Sequence, residues 1–81
     1  MRPTAGDIAA AAVRGERGRR RWTQQQLADR LGWSQAKVSA VETGQRVLTL
    51  DQVVDLCGAL GVTLSRLLQD ADPQDRAKLG L

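Results

Sequence analysis

Histidine, tyrosine and phenylalanine are missing from this chain, and cysteine and methionine occur once each. Without histidine, and with a single cysteine, the sequence offers no cluster of metal ligands and no nucleophile–base pair. No glycine-rich loop of phosphate-cradling spacing is present either. The expectation is a protein that is not an enzyme and that uses neither metal nor cofactor. One cysteine cannot staple the fold, and Cys57 falls on an apolar helical face, where it reads as a small buried hydrophobe. Trp22 and Trp33 are the only aromatics, so the core must be built from Leu, Val, Ile and Ala. No apolar run is long enough to cross a bilayer, and the N-terminus lacks a signal-peptide pattern. A cytoplasmic protein with no membrane partner is expected, its 81 residues making one domain of modest core.

The charge is uneven. Residues 1–46 carry nine Arg or Lys against four Asp or Glu, a net of +5. Residues 47–81 carry three against five, a net of −2. A basic half suits a polyanion, because Lys and Arg release condensed counterions when they meet phosphates.

Within that basic half lies the most informative stretch, QQQLADRLGWSQAKVSAVET, from Gln24 to Thr43. Leu27 and Leu31 are four apart, and Val38 and Val41 three apart, so each pair shares a helical face. Ala28 is small enough to let a second helix approach. Gly32 falls where the first of the two helices must end, and Ser34 offers an oxygen to cap the next. That next helix projects Gln35, Ala36, Lys37, Ser39 and Ala40 away from the core. Polar and small side chains are what a helix entering a DNA major groove requires. The following loop, Thr43-Gly44-Gln45-Arg46, is expected on the sugar-phosphate backbone, with amides and Arg46 as donors.

The remaining elements are also helical. Thr4 or Asp7 caps a first helix that runs to about Arg20 with an Ile8, Ala9, Ala12, Val13 stripe. Gly15 and Gly18 weaken its second half by about 1 kcal/mol each relative to Ala. Thr23 with Gln26, and Thr49 with Gln52, have capping-box spacing, and Trp22 is placed to act as a hydrophobic staple. A fourth helix carries Leu50, Val53, Val54, Cys57 and Leu60 and ends at Gly61; a short fifth, capped by Thr63, carries Leu64, Leu67 and Leu68. Asp72-Pro73 with Asp75 is a good helix start for the tail. No strand, repeat or low-complexity segment is expected. The pattern divides into a helical domain over residues 1–70 and a tail over 71–81, a short helix or a dimerisation or linker segment.

Gln24, Leu27, Ala28, Leu31, Gly32, Trp33, Val38, Val41, Glu42 and Gly44 together form a frame that resembles the Cro/repressor-type (xenobiotic-response-element type) helix-turn-helix proteins of bacteria and phages. The resemblance runs from about Ile8 to Leu68. It implies an all-α, compact, five-helix lambda-repressor-like domain with the helix-turn-helix at helices two and three. It also implies a phosphate contact for Gln24, beside the free amides of its helix end, and base reading from Gln35. Ala36 and Ala40 would then face thymine methyls, Lys37 a guanine or phosphate, and Ser39 either. Ser34, Thr43, Gly44, Gln45, Arg46 and Arg21 complete the expected phosphate set. Arg17 and Glu42 match an Arg–Glu pair of the family, read here as scaffold. Arg19, Arg20 and Arg21 suit the end of a helix dipole and are placed near flanking phosphates. The family usually has a Gly near Arg21, so a turn of different shape is expected there. Trp33 is larger than the frame asks, and its ring is read as core rim.

The function implied is a sequence-specific transcription regulator, a repressor that binds a near-palindromic operator in double-stranded DNA as a homodimer. The dimer seam is expected at Val47, Leu48, the fifth helix, Leu79 and Leu81. The alternative is an antitoxin-type protein, which binds DNA through the same fold and neutralises a partner toxin.

Overall fold

Serine and threonine begin four consecutive helices. The computed structural model describes residues 5–69 and 73–78, which form α1 (Ala5–Arg19), α2 (Gln24–Leu31), α3 (Gln35–Glu42), α4 (Leu50–Leu60), α5 (Leu64–Leu67) and α6 (Pro73–Lys78). Thr23 Oγ1 accepts from the Gln26 amide at 3.0 Å while Gln26 Oε1 accepts from the Thr23 amide at 2.7 Å. Thr49 and Gln52 repeat this reciprocal box at 3.1 and 3.0 Å. Ser34 and Thr63 cap α3 and α5 by accepting from the Lys37 and Arg66 amides. Each such cap contributes about 1 kcal/mol and sets where a short helix starts. Asp7 lies inside the first turn of α1, not before it. Thr4, Asp72, Leu79 and Leu81 lie outside the described residues. Pro73 takes the first position of α6, where its missing amide costs nothing.

The five expected helices are present, with the short α6 after them, and there is no strand among the described residues. Val13, Leu27, Ala28, Val38, Val41, Leu56, Leu60 and Leu67 form the core. Burying a Leu or Val contributes about 1.5–3 kcal/mol. Gly32 adopts φ +70°, and both its amide and that of Trp33 return to Ala28 O, the second at 2.9 Å. This left-handed turn, together with the fully buried Ala28, folds α3 back onto α2.

Two apolar stripes differ from expectation. In α1 the buried residues are Ala10, Val13 and Glu16, with Ile8, Ala9 and Ala12 only half-buried. The buried face runs on through Glu16, whose carboxylate pairs with Arg19 and Arg20. In α4 the inward residues are Leu56 and Leu60, while Leu50 and Val54 stand in solvent. The α4 sequence is apolar around most of its circumference, so spacing alone leaves its orientation open. Cys57 is half-buried, and burial pushes its thiol pKa up.

Candidate nucleic-acid interface

The outward face of α3 is defined by what the core takes from it. Val38, Val41 and Glu42 point inward, which leaves Gln35 and Ala36 exposed and Lys37, Ser39 and Ala40 half-buried. The centre of the free face is therefore small, with longer polar side chains at its borders.

Glu42 organises the base of this face. It is 1% exposed, at the last turn of α3. Arg17 grips it as a fork, Nε to Oε2 at 2.7 Å and Nη2 to Oε1 at 2.9 Å, and also donates to Trp22 O at 2.8 Å. The carboxylate's hydrogen bonds raise the Arg17 pKa further, so the guanidinium stays charged. Arg14, one turn earlier on α1, donates to Glu42 O at 2.7 Å and so satisfies a carbonyl at the negative end of α3. Sequence reasoning missed Arg14; its three-residue spacing from Arg17 was the available signal.

From Glu42 a chain of hydrogen bonds leads to the surface. Gln24 Nε2 donates to Glu42 Oε1 at 3.3 Å, and Gln35 Nε2 donates to Gln24 Oε1 at 2.6 Å. The side chain at the exposed start of α3 is thus anchored, through α2, to a buried ion pair. Ser34, at the same end, keeps a hydroxyl whose oxygen already caps α3.

The loop after α3 supplies fewer donors than expected. The amides of Thr43, Gly44 and Gln45 all return to carbonyls of α3, at 3.1, 3.2 and 3.0 Å. The Thr43 hydroxyl also folds back, onto Ser39 O and Ala40 O. These bonds close the helix end, so what this loop offers outward is the exposed side chains of Gln45 and Arg46. Gly44 has φ +74°, the left-handed conformation that favours glycine, and a Cβ there would press on Asp7 Oδ1 at 3.0 Å, which the flexible carboxylate relieves by a small shift.

The basic cluster after α1 divides. Arg19 and Arg20 both pair with buried Glu16. Arg20 also donates to Leu60 O at 2.6 Å, tying α1 to the end of α4. The Arg20 hydrogen bond holds the Glu16 carboxyl below its ordinary range against the opposing effect of burial. Arg21 alone of the three is exposed without such an anchor, and it adopts φ +57°. The turn therefore keeps the left-handed shape a glycine would give it, at a steric cost of roughly 1–2 kcal/mol. Trp22 is half-buried against the core, with Arg30 4.0 Å and Arg20 5.7 Å from its ring centroid.

Of the expected seam residues, Val47 is 90% exposed and Leu48 half-buried. With Leu50, Val53, Leu64 and Leu68 they border an open apolar groove of about 550 Å³.

The chain is similar over residues 4–77 to the helix-turn-helix domain family. No curated protein matches it. Among solved structures, the clp gene regulator ClgR from C. glutamicum superposes with a TM-score of 0.81 at 26% identity, covering 86% of this chain and 91% of that one. A hypothetical transcription factor, NHTF, from Neisseria superposes with a TM-score of 0.73 at 34% identity, over 90% and 82%.

Proposed function

The chain belongs to the helix-turn-helix domain family and is a DNA-binding transcriptional regulator; we propose that it acts as a repressor of the Cro/repressor type, seated as a homodimer on a near-palindromic operator. The observation that carries the reading is the outward face of α3, small at its centre and bordered by an anchored glutamine and a lysine. Gln35, Ala36, Lys37, Ser39 and Ala40 enter the major groove. A glutamine amide matches the N6 and N7 edge of adenine, and the two alanines suit thymine methyls. Gln24, Ser34, Gln45, Arg46 and Arg21 contact phosphates around the groove, where such contacts fix register. Thr43 and Gly44 bring the backbone close at the end of α3. Arg17 and Glu42 hold the scaffold beneath.

A second copy of the chain covers the apolar surface at Val47 and Leu48, extended by Leu50 and Val54, which are 75% and 62% exposed. That surface belongs to the acidic half of the sequence, which leaves the basic half for DNA. One domain of this size buries limited area on a duplex, and pairing supplies the remaining affinity. Occupying an operator blocks polymerase or a neighbouring activator.

Selection of bound duplexes from a random pool tests the reading. Recovery of two inverted half-sites about 34 Å apart supports it. Recovery of no enriched sequence overturns sequence-specific binding, and enrichment of a single asymmetric half-site overturns the dimer.

A further inference from the structure

Trp33 sits in the turn between α2 and α3, half-buried against the core, with its amide held by Ala28 O. Lys37 lies in the first turn of α3, and its Nζ is 4.1 Å from the Trp33 ring centroid. Side chains on a helix lean toward its N-terminus, so a residue four places on covers the one before. The indole is fixed by the core; the lysine stem is what it holds. At 3.6 residues per turn, Lys37 and Gln35 stand about 200° apart, on opposite borders of the small Ala36 and Ala40 strip. Gln35 is tethered on its border by Gln24. The Lys37 border has the ring.

We propose that Trp33 is a positioning residue for DNA binding: its indole face fixes the Lys37 ammonium on one flank of α3, so that Lys37 meets a phosphate as a preorganised cation. The proposal rests on the DNA-binding reading above. A lysine is a compact point charge on a flexible stem, and holding that stem before binding reduces the ordering that binding must impose. The ammonium drawn back along α3 is aimed away from the strip that faces the base edges. Lys37 therefore adds affinity for any duplex and little base preference.

The test uses the full chain, a mixed-sequence duplex and the duplex recovered by selection. Four proteins close a cycle: wild type, Trp33→Leu, Lys37→Met and the double variant. Lys37→Met is expected to weaken both duplexes alike and to lower the salt slope by about one unit. Trp33→Leu is expected to lose about two- to tenfold in affinity, the cost of ordering one long side chain on binding. The same change in the Lys37→Met background is expected to lose nothing. Trp33→Phe, which keeps a ring, should recover most of the loss, and it closes the same cycle if Trp33→Leu does not fold. In the free protein, NMR should show the Lys37 ε-protons shifted upfield by the indole, and at ordinary positions in Trp33→Leu. A Trp33→Leu loss that persists without Lys37 overturns the proposal, as does tighter binding by Trp33→Leu, which would mean the ring withholds the ammonium. A wild-type chain that binds neither duplex at low salt overturns the DNA reading itself. Wild-type binding with an additive cycle overturns only the role of Trp33.

Discussion

Glu42 and Glu16 are carboxylates accepted inside an otherwise aliphatic core, each at the cost of its hydration. Glu42 is compensated by Arg17 and Gln24, and removing it leaves Arg17 with an unmatched charge. Glu42→Ala should lose about 3–5 kcal/mol. In thermal unfolding that is a fall of more than about 12 °C for a domain of this size; an unchanged melting temperature would contradict the assignment. Glu16 makes a pH prediction. Its folded pKa lies below the ordinary 4.5, so the folded state binds this proton less readily than the unfolded one. The Glu16 contribution is therefore complete above pH 4.5 and is lost as pH falls from there through the folded value. Denaturant titrations at decreasing pH should show the loss, and Glu16→Gln should flatten that part of the profile. Arg21 makes the third residue-scale prediction. Arg21→Gly removes the left-handed strain but adds backbone freedom to the unfolded chain, for a net gain of about 0.5–1 kcal/mol. The same variant should bind DNA more weakly, with a salt slope lower by about one unit. Stability and binding moving in opposite directions is the expected sign of strain kept at a functional position.

At the scale of elements, α3 and the loop after it separate two kinds of contact. Gln35 stands on the exposed start of the helix, tied to α2; Arg46 stands on the loop beyond its end. Gln35→Ala should relax base preference by about 1–3 kcal/mol at one position of the operator. Arg46→Ala should weaken matched and mismatched duplexes equally and lower the salt slope by about one unit. Titrations on both duplexes at several salt concentrations distinguish them. Equal losses for Gln35→Ala on the two DNAs would remove Gln35 from base reading. Loss of the Gln24 tether should also blur the preference, because Gln35 would then have to be ordered on binding.

For the whole molecule, the exposed apolar edge of α4 faces the question of association. Leu50 and Val54 contribute little to the core, so Leu50→Asp should fold with a near-normal melting temperature. It should lower the mass measured by light scattering and turn two-step operator occupancy into independent half-site binding. A variant that stays fully associated would move the seam elsewhere. Among the described residues no helix is long and apolar enough to cross a membrane.

Local chemistry was legible because it acts within a few residues. The Thr23, Ser34, Thr49 and Thr63 caps, the turn at Gly32 and the aliphatic periodicity all follow from spacing along the chain, and together they determined the number of helices and their order. The charge asymmetry and the small, polar side of α3 were likewise present in the residues themselves. Packing decided what spacing could not. A helix as apolar as α4 offers more than one face for burial, and only contact with the other helices turned Leu56 inward and Leu50 outward. An arginine's partner can lie far away in sequence, so Arg14 on Glu42 O and Arg20 on Leu60 O emerged only in three dimensions. The amides of Thr43, Gly44 and Gln45 look free for phosphate in the sequence, but in the fold they bond to carbonyls at the end of α3. Hydrogen bonds and ion pairs between distant residues depend on where the fold brings each group, and that position is a property of the assembled core.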